Sequence, residues 1–428
     1  MKVWKSSALP LDWFKRKAPE EQTDEKVENE VKAIISKVVK NGDAALIELT
    51  EKFNKIRLNA KKLRVNSREI KDAYKLVDKE QVAALKFMKN KVSAFEKRTL
   101  KQAGFKISRE GIAVQSVLRP IESVGCYVPG GQAAYPSTLV MTAVPAKAAG
   151  VSRIVVCSPP NAKGTVNPLV LVAADICGVN EVYKVGGAQA IAALAYGTET
   201  IQPVKKIVGP GSKYVTAAKI LVSKDVSIDM PAGPSEILVL ADETANPQFI
   251  AFDMISQAEH GADSVAGLIT TSEKLAEDVQ DWLVKTATIA ERGEIVAKAL
   301  AKYGFIITCN DMAEAVELAN AFAPEHIEIM TRNAEETAEK ITSAGLILVG
   351  SYSPVALSDY ASGTNHVLPT GGFGSAYSGL SALDFVRRVS IVKSSKEGLQ
   401  NVREHVKVMT EAENLPNHYK SIEARFSK

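Results

Sequence analysis

The sequence has few of the features that define several common protein classes. Its 428 residues contain four cysteines and no Cys-x-x-Cys pair, which favours buried thiols in a reducing compartment over a thiolate metal site. The 53 basic and 49 acidic residues nearly balance, and no basic block alternates with aromatic residues, so nucleic-acid binding is not expected. No apolar run approaches a membrane span, and the first residues lack a signal-peptide core, so we expect a cytoplasmic protein with no membrane partner.

Histidine is also scarce, with five copies. Three stand in short polar motifs: His260 in Gln-Ala-Glu-His-Gly, His326 in Ala-Pro-Glu-His-Ile-Glu, and His418 in Glu-Asn-Leu-Pro-Asn-His. Because histidine is the commonest protein metal ligand and the natural acid or base near neutral pH, these motifs suggest a metal-dependent enzyme. His366 is interpreted as a structural hydrogen-bonding residue, and His405 as a residue on a solvated helix face.

Strands alternate with helices along most of the chain. From residue 122 onward, an apolar strand, a Gly- or Pro-rich turn and a helix recur four times. A second series of strands is predicted at 236–240, 265–270, 305–308, 327–330 and 346–349. This alternation predicts an α/β fold with two incomplete, Rossmann-like parallel-sheet domains and a helical N-terminal arm. A tail strand near 389–392 and a helix after it predict a small C-terminal domain.

The composition shifts suggest the following domain boundaries. An arm covers 1–22, and the second domain covers 123–236. The first domain is discontinuous, formed by 23–122 and 237–378, and a tail domain covers 379–428. A long polar loop is expected at 350–374.

Four Gly- or Pro-rich turns follow the first series of strands. Backbone N–H groups at such turns attract phosphate, and ligands bind beyond the carboxyl ends of parallel strands. However, Gly209-Pro210-Gly211-Ser212-Lys213-Tyr214 is not the dinucleotide fingerprint, because Tyr214 stands where the third glycine should be. The turns alone leave nucleotide binding and a purely structural role equally open.

Three polar clusters could carry chemistry. Gln257 and His260 are three residues apart in the final turn of a predicted helix with Asn246 as its N-cap. One ion could reach both side chains there, or His260 could simply cap the helix. Glu325 and His326 precede a strand and form either a general-base pair or a charged loop. Asp359, in the polar loop, could be an anionic ligand. Together with a second histidine, these nitrogen and oxygen donors suit zinc best, with cobalt or manganese tolerable.

Several long motifs, in order, make the chain resemble the histidinol dehydrogenase family over essentially its whole length. They are Arg-Pro-Ile at 119–121, Gly-Cys-Tyr-Val-Pro-Gly-Gly at 125–131, Val-Gly-Gly-Ala-Gln-Ala-Ile at 185–191, Ile-Val-Gly-Pro-Gly at 207–211, Asp-Met-Pro-Ala-Gly-Pro-Ser-Glu at 229–236, Gln-Ala-Glu-His-Gly at 257–261, Ala-Pro-Glu-His at 323–326 and Gly-Thr-Asn-His-Val-Leu-Pro-Thr-Gly at 363–371.

The resemblance implies a set of site residues. One zinc ion per subunit would be held by Gln257, His260, Asp359 and His418. The implied substrate contacts are Ser235, Gln257, His260, His326, Asp359, Glu413 and His418. The implied NAD contacts are Tyr127, Gln189 and Ser212. Ser212 departs from the family's usual asparagine and is shorter, so weaker NAD binding is expected there.

The resemblance also implies the reaction: L-histidinol is oxidised through an aldehyde to L-histidine, with two NAD consumed. His326 would carry the proton, and Glu325 would activate water. The tail would cross to the partner in a homodimer and complete its site with Glu413 and His418. The alternatives are a dehydrogenase of another small alcohol on the same scaffold, a zinc hydrolase in which Glu325 acts on a metal-bound water, and a non-catalytic binding protein.

Overall fold

The computed structural model describes residues 1–10, 13, 25–130, 135–230, 232–287 and 289–427. Of the arm predicted over 1–22, residues 1–10 and 13 are described, and the others lie outside the described residues. Within those ranges, no helix is both long and apolar enough to cross a membrane.

Helices and strands alternate through most of the described chain. The strands are β1 (Lys2–Lys5), β2 (Phe105–Arg109), β3 (Ile112–Pro120), β4 (Ser123–Tyr127), β5 (Arg153–Cys157), β6 (Glu181–Tyr183), β7 (Lys206–Val208), β8 (Ser227–Ile228), β9 (Glu236–Ala241), β10 (Val265–Thr270), β11 (Phe305–Thr308), β12 (His326–Met330), β13 (Leu346–Val349) and β14 (Val386–Ser394). The helices are α1 (Glu25–Asn54), α2 (Ala60–Leu63), α3 (Ser67–Tyr74), α4 (Lys79–Ala103), α5 (Pro136–Ala149), α6 (Pro168–Cys177), α7 (Gly187–Tyr196), α8 (Lys213–Val222), α9 (Pro247–Ala258), α10 (Glu273–Ala287), α11 (Gly293–Tyr303), α12 (Met312–Phe322), α13 (Ala334–Glu339), α14 (Val355–Tyr360), α15 (Lys396–Ala412) and α16 (Pro416–Glu423).

The first series of strands forms a five-stranded parallel sheet in the order β6-β5-β4-β7-β8. Every residue of the central strand β4 is buried, because helices cover both faces of the sheet. The four predicted strand–turn–helix units are confirmed in the described residues. The turns after β4, β5, β6 and β7 consequently meet at one edge of this sheet.

The second series forms a six-stranded parallel sheet in the order β1-β11-β10-β9-β12-β13. All five strands predicted for this unit are present. The edge strand β1 was not predicted, since the short segment Lys2–Lys5 is largely exposed and pairs with Phe305–Thr308, far away in sequence. The fold class predicted from the sequence is thus confirmed for both parallel sheets.

A three-stranded antiparallel sheet, β14-β3-β2, was not anticipated apart from a tail strand within β14. All five residues of β2 are exposed, and β14 is exposed over eight of its nine residues. Because both strands expose apolar side chains, they lack the alternation that marks a half-buried strand. The exposed apolar side chains include Phe105, Ile107, Val389, Ile391 and Val392.

The helix α1 has the break that its sequence predicts. Gly42, with φ 51° and ψ −132°, is not helical and separates two helical stretches. The next residue, Asp43, accepts hydrogen bonds from the Thr198 hydroxyl at 2.7 Å and from the Thr200 side chain. These contacts attach the helix to the loop that follows α7.

The carboxyl of Glu96, in α4, is fully buried and accepts a 2.7 Å hydrogen bond from the Ala382 N–H. Burial raises its pKa to about 7, whereas the Ala382 bond lowers it. A carboxyl whose folded-state pKa is raised stabilises the fold below its unfolded pKa, and this contribution is lost as pH rises through the folded value. Between pH 5 and pH 8, wild type should lose about 2 kcal/mol of unfolding free energy relative to Glu96→Gln. Urea unfolding of both proteins at several pH values measures this difference, and parallel stability curves would contradict the prediction.

Candidate active site

Glu325 and His326 are buried at the amino end of β12, where the chain enters the six-stranded sheet. The Glu236 N–H donates to Glu325 Oε2 at 2.7 Å, and His326 Nδ1 lies 3.2 Å from the Glu236 carbonyl oxygen. Because a carbonyl oxygen only accepts, Nδ1 carries the hydrogen in the neutral ring and Nε2 is the free base. The first residue of β9 therefore orients both members of the pair.

His326 Nε2 is buried, has no hydrogen-bond partner in the described part of the chain, and lies 4.0 Å from Asp359 Oδ1. Burial lowers the pKa of His326, but the carboxylates of Glu325 and Asp359 and the Glu236 carbonyl raise it, and the net shift is upward. Asp359 Oδ1 is likewise buried without a hydrogen-bond partner. The His326 nitrogen that could act as a base therefore lies beside the Asp359 oxygen that could bind a ligand.

Asp359 is on the short helix α14, so the prediction of a long polar loop over 350–374 is wrong at this point. Pro354 occupies the N-cap position, and the Val355 N–H donates to Glu328 Oε1 at 2.7 Å. This carboxylate satisfies one of the N–H groups that a helix start leaves free. Since the acceptor comes from β12, local sequence could not show that the helix would form.

Gln257 is in α9, which begins at the predicted cap Asn246 and ends at Ala258. Gln257 is buried, whereas His260 lies beyond the helix end and is exposed. The expectation that both occupy the final helical turn is therefore wrong for His260. Burial raises the pKa of Tyr360, and Asp359 and Glu259 raise it further, which places the end of α9 near α14.

Glu325, His326 and Asp359 form a cluster of largely buried polar side chains. His366 also belongs to this cluster, which the sequence interpretation missed. Its Nε2 is buried without a hydrogen-bond partner. Burial lowers its pKa, Asp359 and Glu325 raise it, and His326 lowers it, so all three lie within electrostatic range. The motif Asn365-His366-Val367 carried no signal that separated this ring from a structural one. Its environment assigns it to the cluster.

The predicted nucleotide contacts lie at the carboxyl edge of the five-stranded sheet. Tyr127 ends β4, and its buried hydroxyl accepts the Gly187 N–H at 3.1 Å. Gln189, in the first turn of α7, is buried and its Oε1 has no partner. Ser212 is the N-cap of α8 and makes no side-chain cap bond there. All three precede or begin helices at the same sheet edge.

Glycine is required at Gly209 for the turn before Ser212. Its φ is 117°, and a Cβ there would overlap the Tyr127 carbonyl. The Gly209 N–H donates to Asp229 Oδ2 at 2.7 Å, and its carbonyl accepts from Lys219 Nζ at 3.1 Å. Asp229 and Lys219 also form a buried ion pair. The turn is therefore held on both sides. Residues 131–134, which complete the turn after β4, lie outside the described residues.

Of the remaining predicted residues, the described chain brings Ser235 next to the cluster, because Ser235 adjoins Glu236, but it does not bring Glu413 or His418 there. Ser235 directly precedes β9 and its carbonyl accepts the Val265 N–H at 2.9 Å. Glu413 and His418, in the tail, are exposed, and in the described residues neither side chain has a hydrogen-bond or ion-pair partner. Over the described ranges, no three His, Cys, Asp or Glu side chains form a metal-sized group.

The four cysteines are all buried, as the sequence predicts. Burial raises the pKa of Cys126 and Cys177 to about 12, so neither thiol is available as a thiolate near neutral pH. The four buried thiols are therefore not candidate reactive groups, and the candidates are the carboxyl and imidazole side chains described above.

The fold and the cluster point to an α/β enzyme, with the buried Glu325 and His326 at the amino edge of one parallel sheet. The sequence model of the histidinol dehydrogenase family matches residues 17–426. Histidinol dehydrogenase of Methanothermobacter thermautotrophicus is 47% identical over 392 residues, covering 92% of each chain. That of Clostridium acetobutylicum is 47% identical over 396 residues, covering 92% of this chain and 91% of its own.

A solved structure agrees with these sequence matches. The crystal structure of histidinol dehydrogenase from Elizabethkingia anophelis superposes with a TM-score of 0.93 at 38% identity and covers 100% of this chain and 98% of its own. The chain therefore belongs to the histidinol dehydrogenase family and is an oxidoreductase.

Proposed function

We propose that the protein oxidises L-histidinol to L-histidine through L-histidinal, using NAD in two successive steps and one zinc ion per subunit. The observation that carries this proposal is the buried His326 ring, whose free Nε2 lies 4.0 Å from the free Asp359 Oδ1. Family membership supplies the substrate, and the cluster supplies a base beside an anionic ligand.

The donors on this chain fit zinc. Asp359 Oδ1 is buried without a hydrogen-bond partner, Gln257 is buried on α9, and His260 follows that helix. Of these donors, only His260 and Asp359 are of the His, Cys, Asp or Glu type. This agrees with the absence, in the described chain, of a metal-sized group of three such side chains. Zinc would supply positive charge that holds the imidazole and amine of the substrate. Gln257, His260 and Asp359, with His418, would hold the ion.

His326 and Glu325 divide the proton transfers between them. His326 Nε2 accepts the hydroxyl proton of the alcohol as the hydride leaves, while Nδ1 stays bonded to the Glu236 carbonyl. The Glu325 carboxylate then removes a proton from the water that adds to the aldehyde. His326 accepts a proton again in the second oxidation. Burial of both side chains limits competing access of bulk water.

NAD fits the carboxyl edge of the five-stranded sheet. Among the described residues the buried Gln189 Oε1 has no hydrogen-bond partner, and Ser212 begins α8, whose first N–H groups attract phosphate. Tyr127, Gln189 and Ser212 would hold NAD, which would supply the hydride acceptor. The Ser212 side chain, having no cap bond of its own, is free to bind this ligand.

The proposed active unit is a homodimer in which Glu413 and His418 of each tail complete the other subunit's site. Both side chains are exposed and have no hydrogen-bond or ion-pair partner in the described part of their own chain. The sheet β14-β3-β2 and α15 expose apolar side chains that a second copy would cover. The proposed dimer interface includes Ile107, Val389, Val392, Val408 and Met409.

Purified protein with zinc, NAD and L-histidinol should form about two NADH per histidine, because each oxidation transfers one hydride. Absorbance of NADH and chromatography of histidine measure the two products. Removing zinc with a chelator should abolish turnover, and adding zinc back should restore it. Zinc-loaded protein that leaves histidinol unchanged would overturn the proposed function, and one NADH per product would limit it to a two-electron step.

A further inference from the structure

A second pair of acidic side chains, separate from Glu325 and Asp359, lies where α9 packs on the six-stranded sheet. Glu328, on β12, is 1% exposed, and Asp253, on α9, is partly buried. Glu328 Oε2 is buried without a hydrogen-bond donor among the described residues, and the Asp253 carboxyl lies close enough to interact with the Glu328 carboxyl. Two carboxyl groups can bond to each other only when a proton lies between them. Burial, followed by the Asp253 charge, raises the pKa of Glu328 well above its usual range, and burial raises that of Asp253 to about 6.

The other carboxylate oxygen of Glu328 holds the start of helix α14. Glu328 Oε1 accepts the N–H of Val355, the first residue of α14, at 2.7 Å. The Ser358 hydroxyl donates to the Val355 carbonyl at 2.7 Å within the same turn. Asp359 follows one helical turn after Val355, on the same side of the helix. The direction of α14, and hence of the Asp359 side chain, is tied to Glu328.

Each of the three joined elements carries a residue of the proposed site. Asp253 precedes Gln257 by one helical turn on α9, so the two share a helix face. Glu328 follows His326 by two residues on β12, so both point to the same face of the sheet. We infer that the Asp253–Glu328 pair is a positioning pair that holds α9, β12 and α14 in the arrangement zinc binding requires. This inference rests on the proposed function.

Burial is costly for this pair, which argues for such a role. Apolar neighbours on the same face of the sheet include Met330, Leu348 and Val355. Apolar side chains in place of both members of a buried polar pair would often leave stability unchanged or increase it. What an apolar side chain cannot do is accept the Val355 N–H and bond to Asp253 at the same time. The contacts of Glu328 therefore define geometry between elements more than they contribute to stability.

The test compares zinc affinity among variants of the full-length protein, measured by competition with a chelating indicator after metal removal. Glu328→Gln can still accept the Val355 N–H and donate to Asp253, so zinc affinity should stay within about threefold of wild type. Glu328→Leu removes both bonds and should weaken zinc binding by about tenfold or more. Asp253→Ala keeps the Val355 contact and serves as a second disruptive variant if Glu328→Leu does not fold.

Glu96→Leu is the matched control, because it also removes a buried carboxyl that accepts a backbone N–H, on a helix without site residues. Its melting temperature should fall while its zinc affinity stays that of wild type. Unchanged zinc affinity in folded Glu328→Leu and Asp253→Ala would overturn the inference, as would equal weakening in Glu328→Gln. Wild-type protein that binds no zinc would overturn the proposed function, and this inference with it.

Discussion

Replacing Glu325 with glutamine is expected to slow the oxidation of L-histidinal much more than the oxidation of L-histidinol. The carboxylate is proposed to remove a proton from the attacking water, and an amide cannot accept that proton. A general base contributes on the order of 100-fold or more, so the aldehyde step should slow by about that factor. Rapid-quench or stopped-flow measurement of NADH, started separately from the alcohol and from the aldehyde, resolves the two steps.

The Glu325→Gln substitution leaves the surrounding geometry nearly intact, which makes the comparison informative. The glutamine oxygen can still accept the Glu236 N–H that now binds Glu325 Oε2 at 2.7 Å. The Nδ1 bond of His326 to the Glu236 carbonyl does not depend on Glu325. Glu96→Gln, away from the cluster, should leave both steps unchanged. Equal slowing of both steps would show that Glu325 acts through His326 and not on water.

Much of the parallel-sheet architecture could be predicted from the sequence because its signals are local. Strands such as β9 and β10 are continuous apolar runs, as expected when both faces of a sheet are covered. Turn residues follow the strands at regular intervals, and Gly42 marks the break in α1. Each of these features depends on residues close together in the chain.

The parts that escaped prediction depend on residues far apart in the chain. The edge strand β1 forms because β11 is available, about 300 residues later. The helix α14 begins where Glu328 accepts the Val355 N–H, and Asp253 joins them from a third element. His366 looked structural because its neighbours in space are not its neighbours in sequence. Motifs therefore indicated the candidate site residues but not what holds them together.

Mixing two inactive proteins, His260→Ala and His418→Ala, is expected to restore activity. If each site combines His260 of one subunit with the tail of the other, a hybrid dimer has one site with both substitutions and one intact site. Random exchange makes about half of the dimers hybrids, so about one quarter of wild-type activity should return. The measurement is NADH formation from L-histidinol after subunit exchange, which is followed by mass spectrometry of the intact dimers.

His405→Ala is the control for substitution in the tail, since His405 is exposed on α15 and has no role in the proposed site. On its own, His405→Ala should be as active as wild type. When it is mixed with either inactive protein, the total activity should equal that of the His405→Ala protein present. A site built within one chain predicts that every hybrid subunit carries one defect and that activity stays absent. Verified hybrids without activity would therefore place His418 in its own subunit's site and remove the reason for an obligatory dimer.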